Sequence, residues 1–572
     1  MLAGTTFNHV ASRQKHLSAL FETGKFLGEC WCEVHRQSGF ESRLMAGGQT
    51  LAVRTLIELV AESCNHERRI MSEEIKTSEF IATGEATAIL PARNSSMKPI
   101  TVIGTEAIRN GFDAGCIEQA LNSRGAPGVT ELVLNPDAHR GYGAPVGCVM
   151  VSPTHIYPGP VGVDIKCSMS LLQMDLLVEQ IADRPVRRAL INAIIERTPT
   201  GAGRGQRSVK KSRRVSGSLG RKIVIEGASR EVCEALGIPP HWADYCEDSH
   251  HVGHDGSNGS LEKRVDLLVG DLNGDEGQRF TKKVEQLGSY GGGNHFGECE
   301  AVELVEGVST SVADVFGLKH NCVAFLSHCG SRGWGHRLAT GQFKALQDKF
   351  KRWDIPLPGG DRELVYAPLG TDEANAYLDD MALGANFATV NHLLINALVL
   401  EAFQEVLPGV KGELVYFISH NIARREVVNN EVSWVHRKGA TRAFPAGHHG
   451  LKGTRYEATG HPILLPGNPR DGSVVMVAEP GAAKSCYSVN HGAGRALGRK
   501  RAIRELDQKS IDSEMDTHDI LSNCRQYPKD EAPAAYKDFG EVLRSVEQAG
   551  LARTVAKLKA RFVIKDSSEA DD

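Results

Sequence analysis

Three short apolar runs along the chain share one design, each emptying into a polar segment that carries histidine. Glu131-Leu-Val-Leu runs into Asn135-Pro136-Asp137-Ala138-His139, Val323-Ala-Phe-Leu into Ser327-His328-Cys329-Gly330, and Leu414-Val-Tyr-Phe-Ile into Ser419-His420-Asn421. Short continuous apolar runs bounded by turn formers predict buried strands. A buried strand fixes its terminal residue more tightly than a loop does, so strand ends that meet in space can assemble a cluster from distant sequence. Apolar residues at three-to-four spacing predict a helix over residues 386–406. A second helix is expected over 536–559, before a short strand at 561–565.

Around these elements the texture changes along the chain. Residues 100–185 are dense in Gly and Pro and read as mixed strands and turns. Residues 187–285 are polar and helix-like, with a Gly/Asp/Asn-rich segment near 253–276, and predict a peripheral insert. From 286 to 500, Gly-rich loops alternate with short strands. The first 70 residues show no period, and Met71-Ser-Glu-Glu-Ile-Lys opens an ordinary start. Residues 1–70 therefore read as a disordered or mis-assigned extension, 71–99 as a lead-in, 100–566 as the main domain and 567–572 as an acidic tail.

Composition narrows the function classes. The 572 residues are 41% hydrophobic and 24% charged, ordinary for a globular protein, which excludes collagen, coiled coil and wholesale disorder. Lys plus Arg is 66 and Asp plus Glu is 70, a net charge of −4, so any polyanion site must be local. One candidate spans Arg204 to Lys222, where eight of 19 residues are basic and none is acidic; a solvated loop and a phosphate site fit it equally. No run approaches 18 consecutive apolar residues and no secretion leader is evident, so the expected location is cytoplasmic, with no membrane partner. The 13 cysteines form no CxxC pair and are expected as packing residues or ligands. Cys30, Cys32, Cys64 and His66, or Cys246, His250, His251 and His254, are conceivable metal groups without the paired short spacings of a zinc module.

The chemistry concentrates in five segments. Gly159-Pro-Val-Gly-Val-Asp164-Ile-Lys-Cys167 sets a carboxylate three residues before a thiol, and a thiolate can bridge two divalent ions with the carboxylate serving one. Leu287-Gly-Ser-Tyr-Gly-Gly-Gly293-Asn294-His295-Phe296-Gly297-Glu298 is bare enough for backbone N–H groups to approach a phosphate or nucleotide, with a tight turn as the plain alternative. His328 lies in a segment whose Arg332 offers a bidentate fork for phosphate. His420-Asn421 supplies a third strand-end imidazole. Asn490-His491-Gly492-Ala493-Gly494-Arg495 presents an imidazole ahead of glycine N–H groups and an arginine, a site where imidazole can attack phosphorus. Neither GxxxxGK[ST] nor the Lys-x-Asp-Gly of ATP-dependent ligases occurs.

Taken in order, Pro136-Asp-Ala-His139-Arg-Gly-Tyr-Gly, Gly-Val-Asp164-Ile-Lys-Cys167, Gly-Gly-Asn294-His295-Phe-Gly-Glu298, His328-Cys-Gly-Ser-Arg-Gly, Ser-His420-Asn421-Ile-Ala, His436-Arg-Lys-Gly-Ala-Thr-Arg-Ala-Phe-Pro and His491-Gly-Ala-Gly-Arg resemble the RtcB family of RNA-splicing ligases, over about residues 100–566. The resemblance implies an α+β fold with mixed sheets around a deep central metal and nucleotide cleft and helices outside. It implies an enzyme that seals RNA ending in a 3′-phosphate or 2′,3′-cyclic phosphate to a 5′-hydroxyl through a histidine–GMP intermediate, in tRNA splicing or RNA repair. GTP and two Mn²⁺ would be its cofactors, and tRNA halves or cleaved RNA and an archease-type activating protein its partners. Ligand softness alone would favour Zn²⁺, so Mn²⁺ rests on the resemblance.

Residue by residue, the match makes His491 the guanylylated histidine and Cys167 the ligand shared by two ions. Asp164 and His295 would complete one ion, His328 and His420 the other. GMP would be held by Asn294, His295, Phe296, Gly297, Glu298, His420, Asn421, Pro466, Gly467, Asn468, Pro469, Ser473, His491, Gly492, Ala493, Gly494 and Lys565, with Tyr536 beside the base. Arg332 and Arg495 would contact RNA or phosphate. Four departures stand out. The usual Pro-Gly-Ser-Met-Gly-Thr loop reads Pro466-Gly-Asn-Pro-Arg-Asp-Gly-Ser473; Ala-Asn-Arg reads Val390-Asn391-His392, removing a cation available to RNA; Lys166 replaces an Asn and Ser168 a Gly. A dinuclear metallohydrolase of phosphate esters, needing the ligands but not His491 or Lys565, and an inactive RNA-binding relative are the competing readings.

Overall fold

Continuous apolar runs of this kind need cover on both faces, and the protein provides it with two large sheets and a helical layer. The computed structural model describes residues 80–205, 213–305 and 310–566. The expectations for residues 1–70, for the start of the lead-in, for 206–212 of the basic stretch and for the acidic tail lie outside the described residues. The first sheet runs Ile81–Gly84, Thr87–Leu90, Ile100–Ile103, Glu131–His139, Val146–Ser152, Glu431–Lys438, Asn421–Val428. The second runs Gly412–Ser419, Ser168–Leu177, Cys322–Cys329, Phe296–Leu304, Ala552–Lys565, Gly472–Ala478, Pro462–Asn468, with Leu521–Ser522 paired in parallel to Ala552–Lys565. The chain is thus a mixed α and β protein, and all three histidine-bearing runs form strands: Glu131–His139, Cys322–Cys329 and Gly412–Ser419.

The sheets are joined where the site will appear. Gly412–Ser419 ends the second sheet, Asn421–Val428 begins an edge of the first, and His420 is the single residue between them.

The long helix is Asp372–Val406, starting well before residue 386. Thr371 caps it, its hydroxyl accepting from Ala374 N, and Asp372 and Glu373 complement the positive end of the helix. Its first half escaped the periodicity because from Asp379 onward every face is buried and the polar residues Asp379, Asp380 and Asn386 are buried too. Asp380 accepts two bonds from Arg264, each 2.7 Å, and Asp379 binds His254 Nδ1 at 2.9 Å. This is the helix among those described that is long and apolar enough to cross a membrane, yet 94% of its apolar window is buried in protein. Helices Arg184–Arg197, Gly217–Glu226, Arg230–Leu236, Asn258–Val269 and Asp275–Val284 contribute to the same apolar core, so this segment is continuous with the body of the fold. His392 is fully buried, bonded to Cys329 O at 2.9 Å and Ser170 Oγ at 3.0 Å; position 392 is a core position, not one facing RNA.

The helix expected over 536–559 is corrected. A helix spans only Phe539–Gln548; Gly550, at φ 71°, turns the chain, and Ala552–Lys565 is one long strand. The alternation Val555-Ala-Lys-Leu-Lys-Ala is a strand pattern flanked by small residues that also suit a helix.

Asn386 ties the long helix to the helical segment: it accepts from His251 N (2.7 Å) and donates to Val224 O, Ile225 O and His251 O (3.0, 3.2 and 2.9 Å). Asn386→Leu should orphan those buried groups and cost about 1–3 kcal/mol or more, read as a lower urea midpoint; an unchanged midpoint would deny the amide its structural role.

Candidate active site

Neighbouring strands of the second sheet end level with one another. Ser168 pairs with both Cys329 and Ser419, and His328 pairs with both Met169 and Phe296. Cys167, His295 and His420 each sit one residue beyond such an end, and His328 one residue inside it, so the register converges them. Cys167 Sγ lies 3.4 Å from His295 Nε2 and 3.2 Å from His328 Nε2; His295 Nε2 is 3.0 Å from Asp164 Oδ2, and His328 Nε2 is 3.3 Å from His420 Nε2. Asp164 thus touches His295 and His420 touches His328, with the Cys167 thiol against both His295 and His328.

The far nitrogens settle which atoms face the centre. His295 Nδ1 donates to Tyr290 O (2.8 Å) and His328 Nδ1 to Asn294 O (3.1 Å), so each ring keeps a lone pair on Nε2. Two unprotonated Nε2 atoms aimed at one thiol, beside a carboxylate, repel unless a proton or cation sits among them. Separations of 3.0–3.4 Å between donors match neighbouring ligands on bonds of roughly 2.0–2.3 Å. The residues present thus fit a shared divalent cation, and Cys167, His295 and His328 are the one such group among the described residues. Cys246, His250, His251 and His254 do not gather: Cys246 turns to Trp242 O, His250 to Ile225 O, His251 to Lys166 and His254 to Asp379.

Burial, and then the neighbouring imidazoles, hold His328 and His420 well below the usual histidine range, leaving both neutral. Burial and the Asp164 charge push the Cys167 thiol well up. Behind the strand end, buried Glu247 accepts from Ser419 N (3.0 Å) and pairs with Arg424 and Arg442 (3.2 and 3.1 Å), bracing the residue before His420. Lys166 has a left-handed backbone, φ 55°, and its buried ammonium donates to Asp248 O, His251 Nε2 and Thr389 Oγ1 at 2.7–2.8 Å.

A separate two-stranded sheet brings the nucleophile candidate. Ser488–Asn490 pairs with Ala440–Arg442, and His491 follows. His491 Nδ1 lies 2.6 Å from Asp137 Oδ2 and 2.8 Å from Gly439 O, while Asp137 also accepts from His491 N at 3.2 Å. A fully buried carboxylate and a carbonyl on one nitrogen keep it protonated and leave Nε2 as the free lone pair. The ring centroids of His420 and His491 are 4.8 Å apart. Gly494, at φ 74°, is required, because a Cβ there would meet Asp137 O at 2.4 Å. Asp137 was given no role in the site, although it stands in the Pro136-Asp-Ala-His139 motif; in the fold it is a fully buried carboxylate within the strand Glu131–His139. His139, the third strand-end histidine, stays outside the ligand group, its Nδ1 on Asp137 O at 2.9 Å.

Asp164, Cys167, Asn294, Phe296, His328, His420, Asn421, Pro466, Gly467 and His491 through Arg495 line one cavity of about 1500 Å³. A narrow pocket of about 30 Å³ shares Phe296, Pro466, Gly467 and Tyr536 with it and adds Glu298, Asn468, Pro469, Ser473, Glu531 and Lys565. Gly297 packs under the Tyr290 hydroxyl, and Asn421 turns its amide inward to Gly439 N (2.8 Å) and Asp164 O (3.4 Å). Burial raises Glu298 to about 8 and Glu300, next on the same strand face, well above its usual range, so the pair retains a proton. Lys565 Nζ donates to Glu531 at 2.8 Å, as do Arg495 at 3.1 Å, Arg499 at 3.0 Å and the Tyr536 hydroxyl at 2.7 Å. Burial would raise Glu531, but Lys565, Arg499 and Arg495 bring it to about 2. Sequence reasoning missed Glu531, whose surroundings in the chain carry no motif. Arg495 spends its remaining donors on Leu497 O and Asp530 O, and Arg332 lies behind the glycine loop, donating to Ser289 Oγ at 3.2 Å. In the basic stretch, Arg213, Arg221 and Lys222 pair with Glu401, Asp266 and Glu231.

A cation entering beside Cys167 must displace the thiol proton, so affinity for Mn²⁺ or Zn²⁺ should rise with pH, roughly tenfold per unit while the thiol is protonated. Chelator competition across roughly pH 6–8 checks this; Cys167→Ala should flatten the slope as well as weaken binding.

Residues 119–566 match the family described as tRNA-splicing ligase RtcB. The tRNA-splicing ligase RtcB of Pyrobaculum aerophilum is 33% identical over 466 residues, covering 78% of this chain and 90% of that protein. That of Archaeoglobus fulgidus is 34% identical over 472 residues (79% and 92%), and that of Thermococcus kodakarensis 32% over 464 (78% and 90%). With a family match over most of its length and relatives more than 30% identical across most of both chains, the chain belongs to the tRNA-splicing ligase RtcB family.

Proposed function

We propose that the protein is a GTP- and Mn²⁺-dependent RNA ligase joining a 3′-phosphate or 2′,3′-cyclic phosphate end to a 5′-hydroxyl through a histidine–GMP intermediate. The observation that carries this reading is His491, with Nδ1 locked on Asp137 and Gly439 and its ring beside His420. A hydrolase needs the ligand group alone; an imidazole on the same cavity, its Nδ1 occupied and its Nε2 free, is the extra part a ligase needs.

In this reading His491 Nε2 attacks the α-phosphorus of GTP, the N–P bond forms and pyrophosphate leaves. Asp137 holds the Nδ1 proton and balances the positive charge that develops on the ring. Water first opens a 2′,3′-cyclic phosphate to the 3′-phosphate; the GMP then passes to that phosphate, and the 5′-hydroxyl attacks it, losing its proton and expelling GMP to close the phosphodiester. Asp164, Cys167, His295, His328 and His420 would hold two Mn²⁺, whose contribution when bound is to neutralise phosphate charge. Glu298 and Lys565 would face the guanine edge between Phe296, Tyr536 and the Pro466–Pro469 hairpin, with the backbone of Gly492, Ala493 and Gly494 near phosphate.

Incubation with GTP and Mn²⁺ should give an acid-labile, alkali-stable GMP adduct, because a phosphoramidate breaks once its nitrogen is protonated. His491→Ala should lose adduct and ligation while keeping metal. Phosphoesterase activity surviving without any adduct in the parent protein would instead make it a hydrolase. Asp137→Asn should slow adduct formation by roughly 100-fold or more with metal content unchanged; a normal rate would remove Asp137 from the machinery.

A further inference from the structure

The loop after strand Glu131–His139 carries an aromatic ring that nothing in the fold uses. Tyr142 is 66% exposed and stands on the wall of the large cavity. Among the described residues no other ring packs against it. The backbone beneath it is nonetheless pinned from several sides. The Gln119 amide clasps Gly141, donating to its carbonyl at 2.7 Å and accepting from its N–H at 2.9 Å. The buried Lys438 ammonium donates to Tyr142 O, which also accepts from Ala144 N at 2.8 Å. Gly143, at φ 71°, presses on Glu363, where a Cβ would meet the carbonyl oxygen at 2.6 Å.

A rigid loop that holds a large ring out in solvent has fixed the geometry of a contact before the partner arrives, and the walls around it indicate the partner's charge. Arg140, Arg362 and Lys500 are exposed on the same cavity and make no salt bridge among the described residues. Of the carboxylates on this wall, Asp113 caps the helix Ala114–Arg124, Asp361 accepts from Glu363 N at 2.8 Å, and Glu118 and Glu363 face the three exposed cations. Basic side chains that track phosphates, interleaved with an aromatic face, make a platform for unpaired nucleic-acid bases. The position is also close to the chemistry: Lys438, which holds Tyr142, is followed by Gly439, whose carbonyl accepts from His491 Nδ1 at 2.8 Å.

We propose that Tyr142 is the stacking platform for the terminal base of an RNA end at the join, with Arg140, Arg362 and Lys500 on the flanking phosphates. This rests on the ligase reading and adds to it the residue that receives the RNA end. Tyr142 acts by positioning the end, and takes no part in the attack on GTP.

The test uses the full-length protein with RNA ends carrying 2-aminopurine, in one arm at the 3′-terminal nucleotide and in the other at the 5′-terminal nucleotide of the partner strand. Stacking on a ring quenches this base, so one arm should be quenched by the parent and by Tyr142→Phe but not by Tyr142→Ala. In ligation, Tyr142→Ala should raise the KM for RNA roughly 5- to 100-fold with a smaller change in kcat, and adduct formation from GTP alone, which involves no RNA, should keep its rate. Equal quenching and equal KM in Tyr142→Ala overturn the platform while leaving the ligase reading intact. Normal quenching in a parent protein that never forms the GMP adduct sinks the ligase reading and leaves the platform standing.

Discussion

The level ends of neighbouring strands are the constraint on which the site depends. Ser168 is the common partner of Cys329 and Ser419, and Phe296 faces His328, so one register fixes four ligand positions at once. Because side chains alternate along a strand, a slip of one residue would turn His328 to the opposite face. The apolar runs behind these ends resist such a slip, since it would carry their whole packing with it. The core and the site are therefore specified by the same hydrogen-bond ladder.

Charge is handled differently on the two sides of the cavity. Near Cys167, burial keeps the thiol and the His328 and His420 imidazoles neutral, with carbonyls on His295 and His328 choosing the tautomers. Around Glu531 a single carboxylate collects Lys565, Arg495, Arg499 and the Tyr536 hydroxyl, so the cations are prepaired. Groups on the first side have lone pairs to give and those on the second are already satisfied. An incoming base would therefore compete with Glu531 for Lys565.

Much of this was legible in the chain because strand ends and glycine loops leave local marks. The runs before His328 and His420 could be read as strands, and the glycines before His295 as a close approach. Asp137 and Glu531 could not be read, because their importance comes from partners far away: Asp137 meets His491 across 354 residues of sequence. The long helix was read only in its second half, since buried polar residues such as Asp379, Asp380 and Asn386 break an apolar pattern while being well paired in space. The strand Ala552–Lys565 was taken for a helix along most of its length because Ala, Lys and Leu satisfy both periods. Lys166 is a different case. It occupies a left-handed backbone that asparagine tolerates more easily, at a cost of about 1–2 kcal/mol, and three bonds to its ammonium offset that strain where no side chain of asparagine's length could reach.

The crossing at His420 has a mechanical consequence. One sheet stops at Ser419 and the other starts at Asn421, so a single residue must absorb any sliding of one sheet over the other. Its backbone is held from both directions, its N–H on Cys167 O at 2.9 Å and its carbonyl accepting from Ala440 N at 3.1 Å. There is no slack to take up such a movement. The imidazole behaves as a gauge pin between two plates, so the spacing of His328 and His420 follows how the two sheets meet.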